Sequence, residues 1–311
     1  MKYLSLFSGI GGFELGIQQA YEEITHSRMV GNGDKDNSIS GRQETKHGSG
    51  VGDKQTERPC DESNESAPTC IGYSEIDKYA IQVYQRHFPN HKNYGDITKI
   101  NEKELPDFDF LCGGFPCQSF SIAGKRGGFK DTRGTLFFDI ARILKAKQPR
   151  LLLLENVKGL LSHDEGRTFT TIISTLDELG YDLQWQVLNS KNFGVPQNRE
   201  RVFIVGHLRG TPRPKVFPIT ETDKGIYEQE QNIQSEVQHD RKTGKITYSD
   251  SSVLQAIRDR PLSIRRLTPL ECERLQGFPD GWTEGISDTQ RYKCCGNAVT
   301  VNVIQAIMER L

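Results

Sequence analysis

The sequence predicts an α/β domain built around a mostly parallel sheet, and three observations predict it. Short apolar runs alternate with stretches that carry apolar residues at helical spacing, the pattern of repeated strand–helix units. Some runs are apolar at every position, Leu151-Leu152-Leu153-Leu154 above all, as strands covered on both faces require. The first run ends in a glycine turn that opens directly into a helical pattern.

Residues 3–7 form that first run and stop at Ser8-Gly9-Ile10-Gly11-Gly12. Phe13, Ile17, Ala20 and Tyr21 then share one helix face. A second strand is predicted over 70–74, just before Glu75, with a helix over 77–87. A third strand, 108–111, ends at Gly113-Gly114. A helix over 137–147 precedes the leucine strand 151–154, and 202–205 is a further strand. Two segments break the alternation. Residues 31–70 are rich in Gly, Ser, Asp, Lys and Glu and hold no aromatic residue. They bury too little apolar area to offset the entropy of ordering, so a flexible insertion is predicted. Residues 207–264 are polar, with Pro212, Pro214 and Pro218 near the start and only short β-like pieces such as 245–248. The predicted organisation is therefore one unit over 1–206, a small, poorly specified module over 207–264, and a segment 265–311 that completes the first unit. Order returns at 265–277, and 299–311 reads as an amphipathic helix.

With 311 residues, 35% of them hydrophobic, the chain can build a real core. Lys+Arg total 40 against 41 Asp+Glu, a net charge of -1 that excludes a uniformly basic nucleic-acid coat but leaves room for a local basic cleft. No apolar run approaches the ~20 residues of a membrane-spanning helix, so no membrane partner is expected. The N-terminus, running from one lysine into glycines, reads as a buried strand rather than a signal peptide. Seven cysteines, an odd number without a Cys-x-x-Cys pair, suit neither a disulfide framework nor a zinc site. A reducing cytoplasm and no metal are expected.

Several stretches carry chemistry. Glycines after a first strand let a ligand approach the backbone, and the helix start presents free N–H groups. Alone, 8–12 fits a dinucleotide site, a nucleoside site or a tight turn. Glu75, at the end of the next strand, stands where α/β folds hold a ribose hydroxyl. Asp96 offers either a third polar contact at the end of another strand or a helix N-cap. In Gly113-Gly114-Phe115-Pro116-Cys117-Gln118-Ser119, Cys117 follows a strand end in a loop. A thiol there is a nucleophile if its pKa is lowered, or an inert buried residue otherwise. Glu155, in Glu155-Asn156-Val157, ends an apolar strand. It is either a carboxyl pushed toward neutrality that donates a proton, or a surface group just past the strand. Arg199 and Arg201 alternate before an apolar run, placed to hold an anion, to steer Glu155 and Cys117, or to form an ordinary charged edge.

Taken in order, these stretches resemble the DNA cytosine-5 methyltransferase family of bacterial restriction–modification systems. Phe7-Ser8-Gly9-Ile10-Gly11-Gly12 resembles its cofactor loop and Pro116-Cys117-Gln118 its nucleophile motif. Glu155-Asn156-Val157 and Gln197-Asn198-Arg199-Glu200-Arg201 resemble its two other catalytic motifs. Arg266-Leu267-Thr268-Pro269 through Gly277-Phe278-Pro279 resembles the element after its recognition region, and Gly296-Asn297-Ala298-Val299 the motif that returns to the cofactor pocket.

The resemblance implies a Rossmann-like, S-adenosylmethionine-dependent methyltransferase sheet with a small recognition module. It implies methylation at C5 of a cytosine flipped out of a specific double-stranded DNA sequence, through a covalent bond from Cys117 to C6. Protonated Glu155 would bind N3, and Arg199 would brace the base and Glu155, with Arg201 in support. For the cofactor, and its product S-adenosylhomocysteine, the resemblance implies Phe7, Gly9, Ile10, Gly12, Glu75 and Ile76. Asp96, Ile97, Pro116, Leu136, Asn297, Ala298 and Val299 join them. Residues 118–136 would close over DNA, with Gln118, Ser119 and Arg133 as contacts, in a stretch made basic by Lys125, Arg126 and Lys130. A monomer is implied, with room for a separately acting cognate endonuclease.

The chain departs from the family in two places. The 207–264 segment, 58 residues, is about half the usual recognition region and lacks its glycine-rich, threonine-containing signature, and the 31–70 insertion is unusual. Three rivals differ in sequence. The RNA-directed branch carries a Cys-Phe-Thr tripeptide absent here. An idle binding protein would not need Cys117, Glu155 and Arg199 together. A nicotinamide dehydrogenase would need neither the Pro-Cys-Gln stretch nor the arginine motif.

Overall fold

Strands β1 (Lys2–Leu6), β2 (Thr69–Ser74), β3 (Phe110–Gly114), β4 (Leu151–Val157), β5 (Tyr181–Asn189) and β6 (Glu200–Leu208) form one sheet, ordered β2-β1-β3-β4-β6-β5. The structure is a computed structural model that describes residues 1–33, 67–116, 136–220, 237–239, 246–248 and 265–311. The first four strands are parallel, while β6 runs antiparallel to both β4 and β5. The mostly parallel α/β sheet expected from the sequence is therefore present.

The leucine run explains the layering. Leu152 and Leu154 point into one core with Leu4, Leu6 and Leu111, while Leu151 and Leu153 point into another with Tyr3, Phe110 and Cys112. Side chains alternate along a strand, so a run apolar at every position must be covered twice. Helices α3 (Leu136–Lys147) and α4 (Arg167–Glu178) cover the first face through Phe137, Ile140 and Leu176. Helices α1 (Gly12–Gly33) and α7 (Val301–Met308) cover the second through Phe13, Ile17, Val303 and Ile304. A third cluster joins α2 (Lys78–His87) to the C-terminal segment, with Tyr84 and Phe88 meeting Phe278 and Trp282.

Local sequence sets the helix starts. Asp77 caps α2 by accepting from the Tyr79 and Ala80 amides, while Thr268 and Glu271 form a reciprocal capping box on α5 (Pro269–Leu275), with Pro269 in its first turn. Several expectations shift. Helix α1 continues to Gly33 and β2 begins at Thr69, so both ends of the expected 31–70 insertion are regular structure, and 34–66 lie outside the described residues. The sequence reading passed over α4, β5 and α6 (Asp288–Asn297). Strand β5 alternates apolar and polar residues beside β6, whose centre Val202–Val205 is apolar throughout, and that pattern marks the sheet's edge rather than its centre. The β-like piece at 245–248 is β8 (Ile246–Tyr248), antiparallel to β7 (Val237–His239). The final helix covers Val301–Met308, not all of 299–311.

One buried carboxyl has no cation to balance it among the described residues. Glu14, in the first turn of α1, is 0% exposed. Its Oε1 accepts from the Tyr84 hydroxyl at 2.9 Å, and that hydroxyl lies 3.0 Å from His91 Nδ1. Tyr3, Cys70, Tyr73 and Cys112 are the other titratable groups that feel it, and none carries a positive charge. Burial therefore pushes the Glu14 carboxyl from an ordinary 4.5 up to about 7. Below pH 4.5 the folded and unfolded chains both hold this proton. Between pH 4.5 and about 7 only the folded chain keeps it, so stability falls as pH rises, by about 3 kcal/mol, and then levels off. In urea unfolding from pH 5 to 8, Glu14→Gln should lose this part of the pH dependence. Equal pH slopes in wild type and variant would refute the assignment.

Candidate functional site

The parallel strands β1 to β4 all end at one edge of the sheet, and antiparallel β6 starts there. With both faces covered, this edge is where polar groups can reach solvent without crossing a core. Phe7 follows β1 with a left-handed φ of 54°, and Gly9 follows with φ 56°. A Cβ added at Gly9 would meet no atom within 4 Å, so open space lies over this residue. The Glu75 carboxylate accepts from the Gly9 amide at 2.9 Å and from the Ile76 and Asp77 amides at 2.8 Å. Beside it, Ile76 stands 74% exposed, an apolar side chain without a core to cover it. Asn93 ties this corner together. Its amide bonds the Glu75 carbonyl, and its carbonyl accepts from the Gly95 amide at 2.8 Å. The sequence reading did not single out Asn93, because its role depends on a single bridge between Tyr73 and Asn93 outside the regular strands.

Asp96 does not end a regular strand, since only that isolated bridge precedes it. Its Oδ1 caps the 3-10 turn Ile97–Lys99 by accepting from the Thr98 amide and hydroxyl. Those bonds hold its carboxyl below the usual range. Not every residue expected at the cofactor offers a side chain. Ile10 and Ile97 are 1% and 3% exposed and belong to the cores. Ala298 and Val299 are likewise packed inside. Gly12 has a packing reason, since a Cβ there would lie 2.8 Å from Val299 Cγ1 and 3.0 Å from the Val299 carbonyl oxygen. Pro116 and Asn297 are exposed, and Leu136, at the head of α3, is half-buried. Cys117, Gln118, Ser119 and Arg133 lie outside the described residues.

Glu155 is inside β4, not past its end, and its side chain is 12% exposed. Strand β6 supplies its partner. Arg201 pairs with Val157 across the ladder, and its Nε reaches Glu155 Oε1, two residues back on the same face, at 3.0 Å. It is Arg201, expected only in support, that contacts Glu155 directly. Arg199 lies one residue before β6, outside the strand's alternation. Its guanidinium donates instead to the carbonyls of Gly296, at 3.1 Å, and Ala298, at 2.7 Å. It thus fastens the 296–299 stretch to the site, while its Nε stays buried without a partner among the described residues. Burial outweighs both arginines and pushes the Glu155 carboxyl up, while burial and the neighbouring Arg201 push Arg199 down to about 10.

Two neighbours fit Glu155 into place. Gly114 at the end of β3 leaves it room, since a Cβ there would lie 2.9 Å from Glu155 Oε2. Asn156 donates from its amide to the Phe115 carbonyl at 2.8 Å and accepts from the Val157 amide. The strand that carries Glu155 thereby holds the backbone just ahead of Pro116. All five described cysteines, Cys70, Cys112, Cys272, Cys294 and Cys295, have thiols pushed up by burial, Cys294 to about 11 and Cys295 to about 12. None of them suits a nucleophile. Among the described residues no His, Cys, Asp or Glu cluster could hold a metal ion, and no helix is long and apolar enough to cross a membrane.

The arrangement provides an open backbone cradle beside a carboxylate, and a buried carboxyl inclined to hold its proton. Residues 62–262 and 215–311 match the C-5 cytosine-specific DNA methylase family. The chain is similar to the type II methyltransferase M.NlaX of Neisseria lactamica, 36% identical over all of this chain and 96% of that protein. It is 42% identical to the type II methyltransferase M1.ScrFI of Lactococcus lactis subsp. cremoris, over 76% of this chain and 70% of the relative. In fold it resembles the crystal structure of the S. pombe Dnmt2 methyltransferase, with TM-score 0.63 at 17% identity over 99% of this chain and 97% of the other.

The Glu155–Arg201 contact makes a spectroscopic prediction. Arg201→Met removes the nearest charge that opposes burial, so Glu155 should keep its proton to higher pH. Its protonated-carboxyl infrared band, assigned by loss in Glu155→Gln, should persist to higher pH in the variant. A midpoint unchanged or lower would contradict the geometry.

Proposed function

Because this chain belongs to the C-5 cytosine-specific DNA methylase family, we propose that it moves a methyl group from S-adenosylmethionine to C5 of a cytosine flipped out of a specific double-stranded DNA sequence. The chain is a DNA cytosine-5 methyltransferase of the type II restriction–modification kind. The observation that carries the finer reading is the buried Glu155, held by Arg201 at 3.0 Å and inclined to keep its proton, on the strand that also pins the backbone before Pro116.

Cytosine C5 is a weak nucleophile, and the proposed steps answer that weakness. The Cys117 thiolate adds to C6, which breaks the C5–C6 double bond and moves electron density onto C5. Glu155 donates its proton toward N3 and stabilises the charge that develops on the ring, a role that requires the protonated carboxyl. Arg201 orients Glu155 without stripping its proton, because burial outweighs the guanidinium. Once C5 carries the methyl group, a base removes the C5 proton, the double bond re-forms and Cys117 leaves. C6 is hidden in a stacked duplex, so the base must leave the helix first.

S-adenosylmethionine, when bound, supplies an electrophilic methyl group on a sulfonium. The donor set fits it. Gly9 leaves open space over the loop, Ile76 offers an exposed apolar surface for a purine, and Glu75 stands at a strand end where ribose hydroxyls bind. Asp96 and Asn297 are the further polar groups that would hold it. The chain would act in the cytoplasm as a monomer on double-stranded DNA, with 118–136 contributing Gln118, Ser119 and Arg133 to the contact.

Expression in a methylation-free host followed by bisulfite sequencing tests the reaction, the base and its context together. Wild type should leave protected cytosines in one sequence word and Cys117→Ser should leave none while still binding S-adenosylmethionine. Turnover of Cys117→Ser within tenfold of wild type would sink the covalent route. Gly114→Ala gives a second test, because its methyl group crowds Glu155 Oε2. Methyl transfer should fall at least tenfold, a loss of ~1.4 kcal/mol or more in transition-state stabilisation, with circular dichroism unchanged. Full activity in Gly114→Ala would count against Glu155.

A further inference from the structure

We propose that Trp282 is a positioning residue for the cofactor loop: its indole N–H holds the Ile10–Gly11 peptide in the orientation that receives S-adenosylmethionine. The inference rests on the cofactor reading above. Trp282 is 7% exposed, and its Nε1 donates to the Ile10 carbonyl at 2.8 Å, across almost the whole length of the chain. The other polar group of the same peptide, the Gly11 N–H, donates to the Ser8 carbonyl at 3.0 Å. One peptide unit is thus tied at both ends.

That peptide needs the tie. Gly11, which carries the peptide's N–H, has a left-handed φ of 91°, and Gly9, one residue before the peptide, has φ 56°. Glycine moves among such conformations at little cost, and sequence alone does not select one orientation for a peptide that ends in such a glycine. Gly11 is also irreplaceable, since a Cβ there would lie 2.5 Å from Phe88 Cε2. The loop's composition allows it to move, and tertiary bonds order it: Glu75 holds the Gly9 amide and Trp282 holds the Ile10 carbonyl. If the loop is already ordered in the free protein, that ordering is not charged against cofactor binding.

The indole itself is over-determined. His87 stacks on it at 3.6 Å with rings 3° from parallel, and Phe88 meets it edge-on at 6.1 Å. The turn that carries it is built on Glu273, 0% exposed, which accepts from the Gly281 and Thr283 amides at 2.9 Å and is balanced by Arg291 at 3.0 Å. Arg86 adds a bond to the Gly281 carbonyl at 2.8 Å. Stacking fixes the ring and leaves its N–H for Ile10. Ring packing and loop positioning can therefore be separated by a substitution that removes only the N–H.

Trp282→Phe retains an aromatic ring and loses that donor, and calorimetric titration with S-adenosylmethionine reads the effect directly. The Kd, and the KM for the cofactor, should rise roughly tenfold, the scale of one lost buried hydrogen bond. At saturating cofactor kcat should stay within twofold, a split that general destabilisation would not produce. Incorporation of 3-benzothienylalanine at 282 keeps the bicyclic shape without the N–H and should give the same rise, so it decides the matter if Trp282→Phe fails to fold. A Kd within twofold of wild type in the benzothienyl variant would overturn the inference. Glu75→Ala separates the two readings. If it weakens binding while the 282 variants do not, only the clamp is wrong. If it too leaves the Kd unchanged, the cofactor reading fails first.

Discussion

A sheet covered by helices on both faces can expose polar groups only at its strand ends, and the rest of this molecule follows from that constraint. The alternate leucines of β4 fill two separate cores, so neither face of that strand is free for a ligand. Glu75, Glu155 and the backbone ahead of Pro116 consequently gather at a single edge. The reversed strand β6 matters for the same reason. Because it runs antiparallel to β4, its first residues rather than its last reach the edge, and Arg201 arrives beside Glu155.

The carboxyl at this edge is balanced between opposing effects. Burial favours the neutral form, and two guanidiniums favour the charged form. Burial prevails, although Arg201 is within hydrogen-bond distance. A carboxyl so placed holds a proton that it can share without the full cost of an isolated buried charge. Glu14 shows the same desolvation with no cation paired to it among the described residues, and it is pushed up to about 7. The two groups sit in different places: one at the strand-end edge, and the other in the first turn of the first helix.

The C-terminal segment is fastened to the start of the chain and to β6 by contacts in which backbone carbonyls recur on one side or the other. Arg199 grips the Gly296 and Ala298 carbonyls, Val299 packs against Gly12, and Trp282 bonds the Ile10 carbonyl. Carbonyl contacts place no demand on the identity of the residue that accepts them. They join the last part of the chain to the first turn of the sheet, across the long polar stretch between.

Much of this was determined by the sequence alone. The doubly apolar strand, the glycine turn, the caps at Asp77 and Thr268 and the order of the motifs are local properties, and local periodicity and capping chemistry express them directly. The family, too, was legible, because its motifs are short runs whose residue types are set by the chemistry. Tertiary structure decided the pairings. The strand reading placed both arginines on one side of an extended segment, but only the β4–β6 register gives Glu155 to Arg201 and sends Arg199 to the 296–298 carbonyls. It also decided that Ile10 and Ile97 face the cores, that Asp96 caps a turn, and that Asn93, Asn156 and Trp282 matter. The physical reason is common to all of these. A hydrogen bond or a close packing contact between residues far apart in the chain depends on relative position in space, and no periodicity within either segment encodes it.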